Sequence, residues 1–409
     1  MDMTISRTVP DHVPDHLVVD IDYYDVPGND RDPQAAWKAF KGRGPLVYSP
    51  YNGGHWVATC GKDVFRFFGD FHNFSSSSVV IPDAGDTLLP VEADPPVHGD
   101  YRAAIAASLT PAAVAALAPA VRQLTIDLIE EFRQQGECEF VSQFALQLPL
   151  SIFLKMVNLP QDDRLQLRHM VEEYEASPDI AVKQAAFQRL IAYLDRWIEE
   201  RIAHPGDDAI TRITQEQVAG RPFTREEMLS SCVTLFHGGL ATVTSVLSFM
   251  TLHLAQTPEH RRYIRENPDD AHNVIQEFLR RYSVNNLGRV VTNDMVYKDV
   301  ALKKGDRILL CPSLFNLDED IFEEPESIDF ARGGRHITFG SGRHTCAGAL
   351  LARRELTIFL EEWLSRIPDF ALDPARPPRV KGGPTNGVVE LWLKWEKPGA
   401  SPANGATAS

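Results

Sequence analysis

The sequence predicts a mainly helical protein with a minor, scattered sheet component. Long stretches of the chain have the apolar spacing of amphipathic helices, whereas only short alternating segments have the pattern of strands. The longest helical stretch lies near the middle of the chain, where residues 228–258 contain no Asp, Glu, Lys or Arg. Ser, Thr and His side chains interrupt its apolar character, which would be costly in lipid. We therefore predict a long helix buried through the centre of the protein rather than a membrane span.

The other elements follow from local patterns, taken in chain order. Residues 1–37 are rich in proline and predict an irregular wrap along the surface, and Asn52–Gly53 predicts the turn of a hairpin at residues 45–60. Thr110–Pro111 has the residue types that begin a helix. Helices are predicted at 111–132, 140–157, 162–174, 180–203, 225–256, 258–266, 269–282 and 349–367, and strands at 290–300, 308–311 and 388–395. Residues 398–409, rich in Pro, Gly, Ala and Ser, predict a disordered tail.

Composition excludes several classes of function. The chain of 409 residues is 44% hydrophobic and 24% charged, the balance of a globular protein with a sizeable core. Its net charge of −15 argues against nucleic acid or an anionic membrane surface as a partner. Five scattered cysteines do not form a disulfide framework, and the first 20 residues lack the apolar core of a signal peptide. These features predict a cytoplasmic protein.

Cys346 lies in the most informative segment of the chain. It belongs to the glycine-rich stretch Phe339–Gly348 (FGSGRHTCAG), directly before the helix predicted at 349–367. Glycines let such a loop lie flat against a large planar group. We expect the amides and dipole of the helix to keep the thiol deprotonated, as a thiolate ligand of haem iron requires. A buried structural cysteine, and a zinc site shared with His344, are the alternatives.

The spacing Phe-x-x-Gly-x-His-x-Cys-x-Gly resembles the haem-binding loop of the cytochrome P450 family of monooxygenases. The resemblance extends over residues 45–394 and is closest to the camphor-hydroxylase branch. That branch is matched by Gly238–Leu240, Leu302–Asp306, Leu351–Glu355 and Arg366–Phe370. The resemblance implies one domain, residues 1–409, that encloses haem b with Cys346 as the axial ligand and with the long helix passing over the haem face.

A second motif of the resemblance is Glu277-Phe278-Leu279-Arg280. Its spacing of three places both charges on one face of a helix, one turn apart. Such a pair is by itself a weak signal, because exposed Glu-x-x-Arg pairs are common on helices. In the family the pair is buried behind the haem and braces the segment that leads to the thiolate loop. Arg332 is expected to complete this charge network.

A third motif lies in the long helix, where Gly238 and Gly239 precede Thr242. Interior glycines cost roughly 1 kcal/mol each relative to alanine, and in the family small residues here let the helix pass close to the haem. The resemblance assigns to Thr242 the hydroxyl that holds water near bound dioxygen. Most relatives have an acid before this threonine, whereas this chain has Ala241, which cannot carry protons. Water held by Thr242, or the histidine His237 one turn earlier, is the alternative source; His237 could equally be an ordinary core residue.

The resemblance also implies further site residues. Those expected to hold the haem are His98, Arg102, Arg289 and His344, with Phe339 and Gly348 in the thiolate loop. The expected substrate pocket draws on Val80, Leu88, Leu89, Thr234, His237, Gly238, Asn285 and Thr385. A two-iron ferredoxin is expected to dock near Arg332, Arg335, Arg343, Arg353 and Arg354.

The predicted function is a haem-dependent monooxygenase that hydroxylates a small apolar substrate, with a monoterpenoid as the best match. The family's camphor enzymes hold the ketone with a tyrosine, and none occurs between Phe74 and Asp94, so camphor itself is not expected. Oxygen comes from O2 and electrons come from the ferredoxin. The alternatives are a peroxide-driven enzyme, suggested by Ala241, and a non-catalytic sensor that binds haem or a terpenoid.

Overall fold

The prediction of a mainly helical protein is confirmed by the computed structural model, which describes residues 9–82, 87–176, 180–333 and 335–397. The α-helices of the described residues are α1 (Gly61–Gly69), α2 (His98–Ala106), α3 (Pro111–Phe132), α4 (Gln147–Met156), α5 (Arg164–Ala176), α6 (Ile180–Ala203), α7 (Ala209–Gln215), α8 (Arg225–Gln256), α9 (Pro258–Glu266), α10 (Ala271–Arg281), α11 (Ser313–Asn316) and α12 (Ala349–Arg366). Longer helices pack on one another around α8, and the short strands lie to the side and between them.

The strands are short, and most belong to small sheets. They are β1 (Leu46–Ser49), β2 (His55–Ala58), β3 (Phe74–Ser75), β4 (Glu137–Glu139), β5 (Gln217–Val218), β6 (Arg221–Pro222), β7 (Leu287–Val291), β8 (Met295–Tyr297), β9 (Val300–Leu302), β10 (Arg307–Leu310), β11 (Phe370–Leu372), β12 (Arg379–Lys381), β13 (Gly387–Glu390) and β14 (Trp392–Trp395). The largest sheet has the order β1-β2-β10-β7-β3, with β10 parallel to β2 and the other pairs antiparallel.

Helix α8 begins and ends at the predicted residues. Its start is fixed by a capping box, in which Thr224 accepts from the backbone of Glu227 and the Glu227 side chain accepts from the backbone of Thr224. The helix packs against α4 and α6 on one side and against β13 on another. Most of its apolar side chains are buried, so α8 forms the centre of the larger hydrophobic core.

Two helical segments of the described chain are long and apolar enough to cross a membrane by length and composition alone. In α8, 61% of the apolar window is buried inside the protein, and in residues 111–135 the buried share is 28%. Helix α3, which forms most of the second segment, packs along α12. The burial of α8 agrees with the prediction, made from its polar side chains, that it is a core helix rather than a membrane span.

The sheet side of the molecule has a hydrophobic cluster of its own. The hairpin β1–β2 turns at Asn52 and Gly53, both of which adopt the left-handed conformation, with φ of 56° and 84°. Residues 9–37 contain only short 3-10 turns, and they bury Leu17, Tyr23 and Trp37 against this sheet. Residues 1–8 of the predicted wrap and the predicted tail at 398–409 lie outside the described residues.

Two predicted strands are wrong in their extent. Residues 290–300 form the end of β7 and then a separate hairpin of β8 and β9, because Lys298 and Asp299 reverse the chain with φ of 47° and 70°. The segment 388–395 is split at Leu391 into β13 and β14, which pair in different sheets. In the predicted helix 140–157 the first turns form a π-helix before α4 begins. Four short helices among the described residues, α1, α2, α7 and α11, were not predicted.

Candidate haem site

The loop that carries Cys346 is held by its own backbone. The Cys346 N–H donates to the carbonyl of Phe339 across 2.9 Å. Gly340 and Gly342 adopt the left-handed conformation, with φ of 72° and 74°. A Cβ on Gly342 would lie 3.2 Å from the Cα of Gly69 in α1, so this glycine also allows the close approach of two backbones. The conformation of the loop therefore favours glycine at both positions, and at Gly342 the neighbouring backbone of α1 also leaves little room for a side chain.

Cys346 is the cysteine with the most accessible side chain in the described chain. Cys138, Cys232 and Cys311 are buried, and Cys60 is partly buried. A thiol must be reachable if it is to bind a metal ion or a cofactor. The structure therefore selects Cys346 from the five cysteines on grounds independent of its sequence motif.

Opposing effects act on the thiol of Cys346. Desolvation by the surrounding protein raises its pKa, while the amides of Gly348 and Ala349 and the positive charges of Arg102 and Arg353 lower it. The amides at the start of the helix therefore act in the predicted direction, but by themselves they do not outweigh desolvation. A coordinating metal ion deprotonates a thiol outright, so the predicted thiolate is the form that a haem-bound Cys346 takes.

Two histidines lie against each other beside the loop. The rings of His98, at the start of α2, and His344 have centroids 4.3 Å apart. Burial is the main reason that the pKa of His344 falls to about 4 and that the pKa of His98 is lowered. Both rings are neutral near pH 7. The Nε2 atom of His344 is buried and has no hydrogen-bond partner among the described residues.

Two arginines complete a group of donors near these rings. Arg102 donates from Nη2 to the carbonyl of Thr345 across 2.6 Å. Arg289, on β7, is 2% exposed, and its described hydrogen bond goes to the neighbouring carbonyl of Gly288 across 2.8 Å. Burial lowers the pKa of Arg289 to about 10. The charge of Asp94 acts on Arg289, but no ion pair joins Arg289 to a carboxylate among the described residues. A buried guanidinium without a close carboxylate is costly, so the site fits a ligand that brings carboxylates of its own.

The predicted charge network is present and buried. The Glu277 carboxylate accepts two hydrogen bonds from Arg280, from Nε and Nη2, each across 2.8 Å. It also accepts from Nε of Arg332 across 3.1 Å and from the backbone of Asp329 across 2.9 Å. The remaining donors of Arg280 reach the carbonyls of Asn316, Pro325 and Ser327 at 2.6–2.9 Å. One ion pair thus ties α10 to the segment that leads to the thiolate loop.

Helix α8 is open where its glycines lie. Gly238 and Gly239 are exposed, although most of the surrounding helix is buried. No described atom lies within 4 Å of a Cβ built on either glycine, so both face free space. Thr242 donates from Oγ1 to the carbonyl of Gly238 across 2.8 Å. Three features of the site fit haem, which is a large planar group with acidic side chains. They are the free space beside α8, the accessible thiol of Cys346, and the hydrogen-bond donors that can bind carboxylates.

A separate small cavity lies beside Ala241. It has a volume of about 20 Å³ and is bordered by α5, α6 and α8, with His237 and Ala241 in its wall. Nδ1 of His237 donates to the carbonyl of Val233 across 3.2 Å. No acidic side chain is found among the described residues of the cavity wall, so none of these residues replaces the acid that is absent at position 241.

The predicted pocket residues are only partly brought together. Of these, His237 borders the cavity described above, whereas Thr385 donates to the side chain of Asn285 across 3.0 Å at a bridge between two chain segments. The backbone of Leu89 donates to Ser230 of α8 across 2.8 Å, which places the loop before α2 against this helix. The remaining predicted members are Val80, Leu88, Thr234 and Gly238.

Two of the five arginines predicted for docking point inward. Arg332 is 12% exposed and is engaged by Glu277. Arg353 is half-buried and lies over the ring of Phe339, with 4.5 Å between its guanidinium carbon and the ring centroid. The exposed members of the set are Arg335, Arg343 and Arg354. Proximity in sequence to the loop did not reveal the direction of these side chains.

One unusual residue was not predicted. Glu355 in α12 is 3% exposed, and its Oε2 has no hydrogen-bond partner among the described residues. Burial raises its pKa to about 8. The signal was present in the sequence, because Glu355 lies on the same helical face as the buried residues Leu351 and Ile358. A charge in such an apolar stripe marks a polar group in the core.

Comparison with known proteins identifies the family. The family model described as "Cytochrome P450" matches residues 156–381. The probable cytochrome P450 127A1 of Sinorhizobium fredii is 33% identical over 405 residues, which cover 95% of this chain and 97% of the relative. The crystal structure of cytochrome P450 CYP101C1 matches with a TM-score of 0.88 and 39% identity, and that of CYP101J2 with 0.87 and 35%. Each covers 95% of this chain and 100% of the other.

The fold and the site define a haem-thiolate oxidoreductase. The chain belongs to the cytochrome P450 family, as its sequence motifs predicted, and its similarity to the camphor-hydroxylase branch is confirmed. It is a monooxygenase that binds haem b through a cysteine thiolate.

Proposed function

We propose that this cytochrome P450 hydroxylates a small apolar molecule of the monoterpenoid class with O2 and with electrons from a two-iron ferredoxin. The observation that carries the proposal is the setting of Cys346, an accessible thiol in a glycine-shaped loop beside the buried Nε2 of His344, which has no hydrogen-bond partner among the described residues. The similarity of the chain to the camphor-hydroxylase branch supports a substrate of this class. We propose further that the chain acts as one domain in the cytoplasm.

The proposed roles follow from the contacts. Cys346 ligates the haem iron, and Phe339 and Gly348 shape the loop around it. The partners of the haem carboxylates are His98, Arg102, Arg289 and His344. When bound, haem supplies the activation of dioxygen. The polypeptide supplies the ligand, the donors and a site that excludes bulk water.

Helix α8 supplies the oxygen side of the site. Gly238 leaves space beside the helix, and Thr242 donates its hydroxyl hydrogen to the carbonyl of Gly238. The lone pairs of the Thr242 oxygen therefore remain available to accept a hydrogen bond from water. The role of Thr242 is to hold that water in place, and Ala241 beside it contributes no proton of its own.

The substrate class is supported by the way polar groups near α8 are satisfied. Asn285 and Thr385 bond to each other, and Ser230 bonds to the backbone of Leu89. Groups that satisfy one another have little need of a polar ligand. The side chains of Val80, Leu88 and Leu89 then favour a compact, mainly apolar substrate. The buried hydroxyl oxygen of Thr234, which has no hydrogen-bond partner among the described residues, could meet one polar atom of that substrate.

The electron donor is proposed to dock on the exposed arginines around the loop. Arg335 lies near Phe65, Arg343 lies over Phe71, and Arg354 is exposed at the start of α12. These cations stand out on a chain with a net charge of −15, and they are suited to an acidic ferredoxin. Arg332 and Arg353 are left out of this surface because both point inward.

A Cys346→Ser variant tests the proposal. We expect it to lose the reduced-plus-CO absorption band of a haem thiolate, because serine does not provide a thiolate. Cys60→Ser, which changes another cysteine that is not fully buried, is the matched control and should keep the band. An unchanged band in Cys346→Ser would contradict the assignment of the ligand.

Turnover of a panel of monoterpenoids with ferredoxin and NADH, compared with turnover driven by hydrogen peroxide, tests the rest. The proposal requires hydroxylated product with the ferredoxin system. Product with peroxide alone would favour the second candidate, a peroxide-driven enzyme, which is suggested by the absence of an acidic side chain among the described residues around Ala241.

A further inference from the structure

We propose that His237 delivers protons in place of the absent acid, through one water molecule in the cavity that it shares with Ala241. The inference rests on the proposed function, because it concerns the water that Thr242 holds. The motif around Thr242 has Ala241 where most relatives have an acid, so the motif itself contains no proton donor. The inference assigns this role to His237.

The geometry places the histidine and the missing acid at one cavity. His237 lies four residues before Ala241 on α8, so the two residues share a face of the helix. Both border the cavity of about 20 Å³, which has room for about one water molecule. Other walls come from apolar side chains such as Phe187 and Leu190. Among the described residues of this wall, His237 and Tyr174 carry side-chain groups that bond water well.

The hydrogen bonding of His237 suits a relay. Its Nδ1 lies 3.2 Å from the carbonyl of Val233, an acceptor, so Nδ1 carries a hydrogen and donates. Nε2 is then the atom that gains and loses a proton. The ring is held between aromatic neighbours, with centroids 6.1 Å from Tyr174 and 6.0 Å from Phe187. Tyr174 is 38% exposed, which connects this side of the cavity to solvent.

The proposed transfer balances in protons and needs no oxidant. Nε2 of His237 takes a proton from solvent on the side of Tyr174, which forms the imidazolium. The N–H bond then breaks as the cavity water accepts this proton. The cavity water releases one of its own protons to the water bound at Thr242, which is next to Ala241 in the chain. His237 returns to the neutral state and is recharged from solvent.

The cavity also explains why an acid is poorly suited to this chain. A carboxylate at position 241 would lie in a mostly apolar wall, where desolvation raises a carboxyl pKa. A histidine is neutral after it has given up its proton, whereas a carboxyl is then charged, so an apolar wall suits the histidine better as the resting group. His237 acts through water, so it is a positioning residue for proton delivery rather than a ligand of the haem.

His237→Gln tests the proposal with the complete ferredoxin system. We expect the fraction of NADH electrons that reach hydroxylated product to fall about tenfold, below the roughly hundredfold or more of a full general acid–base effect, with a matching rise in peroxide release. In the wild type this coupled fraction should vary with pH through the ionisation of one group, and in the variant it should be flat. His253→Gln is the matched control, because His253 lies on the same helix and belongs to a separate cluster with His260 and Tyr282. It should behave as the wild type.

A readout that does not depend on turnover is the proton exchange of the ring itself. In protein with isotope-labelled histidine, the resonance lost in His237→Gln identifies His237. We expect it to show magnetisation exchange with water, and to lose that exchange in Ala241→Val, which fills the cavity without altering the histidine. Ala241→Val should also lower the coupled fraction.

The outcomes separate this inference from the proposed function. Turnover driven by peroxide bypasses the delivery of these protons, so His237→Gln should lower ferredoxin-driven turnover much more than peroxide-driven turnover. Ala241→Asp placed in the His237→Gln protein should restore part of the coupling. Unchanged coupling and an unchanged pH profile in His237→Gln would overturn the relay while product formation still stands. Absence of product in every protein, including the wild type, would instead overturn the proposed function.

Discussion

The network around Glu277 and the open segment Gly238–Thr242 of α8 show opposite solutions within one site. Around Glu277, every described oxygen of the carboxylate has a partner, and Arg280 is fully enclosed. Along α8, two glycines face free space, and a small cavity lies beside Ala241. One region is closed by charge-assisted hydrogen bonds, whereas the other has been kept free of side chains.

The difference separates a bracing role from a reacting one. A buried ion pair is costly to desolvate, so it is tolerated where many additional hydrogen bonds fix its geometry. Interior glycines weaken a helix, so they are tolerated where the space they leave is needed. Variants in the closed region should therefore change stability and haem retention, whereas variants in the open region should change binding and coupling with little loss of stability.

The largest effect is expected from Arg280→Ala, which would leave Glu277 buried with one fewer cation. Breaking a buried pair by removing one partner costs about 3–5 kcal/mol. Three backbone carbonyls would also lose their donor. The variant should bind haem poorly and unfold at a much lower concentration of urea.

Arg280→Lys is the sharper companion variant. Lysine keeps the charge but lacks the planar fork that serves Glu277 and three carbonyls at once, so partial loss is expected. Equilibrium unfolding and haem content of the purified proteins measure both variants. Stability equal to that of the wild type in Arg280→Ala would show that the network does not brace the loop.

The closed region was largely predictable from sequence. The pair Glu277–Arg280 has helical spacing, and the bounds of α3 and α8 follow from the capping residues Thr110 and Thr224. The hairpin β8–β9 was not predictable, because its turn uses left-handed Lys298 and Asp299 rather than glycine. Sequence patterns encode the residues that favour a conformation, and such a turn is imposed by the surrounding structure.

The sequence predicted which residues form the site but not where their side chains point. Cys346, Thr242 and the expected haem partners were named from motifs, whereas the inward orientation of Arg332 and Arg353 required the structure. The cavity beside Ala241 was also invisible to sequence, because side chains of three helices form it. Local motifs therefore give identities, and packing between distant segments gives geometry.

An intermediate effect is expected from Glu355→Gln, which tests a buried carboxyl outside the network. The pKa of Glu355 is raised to about 8 in the folded protein, above its ordinary value of 4.5. Between these values the unfolded chain loses the proton while the folded protein keeps it, so the stability of the wild type falls as pH rises. Glutamine removes this dependence. As the pH rises from about 6 to about 8, the free energy of unfolding of Glu355→Gln should therefore increase by about 2 kcal/mol relative to that of the wild type.

Urea unfolding at the two pH values measures this gain. Glu361→Gln, an exposed glutamate on the same helix, is the matched control and should not change the pH dependence. Parallel pH profiles for the wild type and Glu355→Gln would mean that the carboxyl finds a partner when folded, and the contrast with Glu277 would then disappear.

The smallest effect on stability, with the clearest separation of stability from function, is expected from Gly238→Ala. No described atom lies within 4 Å of the added Cβ, so the methyl group meets no clash in the polypeptide. Alanine should stabilise α8 by about 0.5–1 kcal/mol, because it reduces the conformational entropy of the unfolded chain. The same methyl group enters the space that we assign to haem and substrate, so spectral titration should show weaker binding of a monoterpenoid. Gly69→Ala in α1, which also has no described atom within 4 Å of its Cβ, controls for the gain in helix propensity. Tighter or equal binding in Gly238→Ala would show that the open face of α8 is spare volume rather than part of the site.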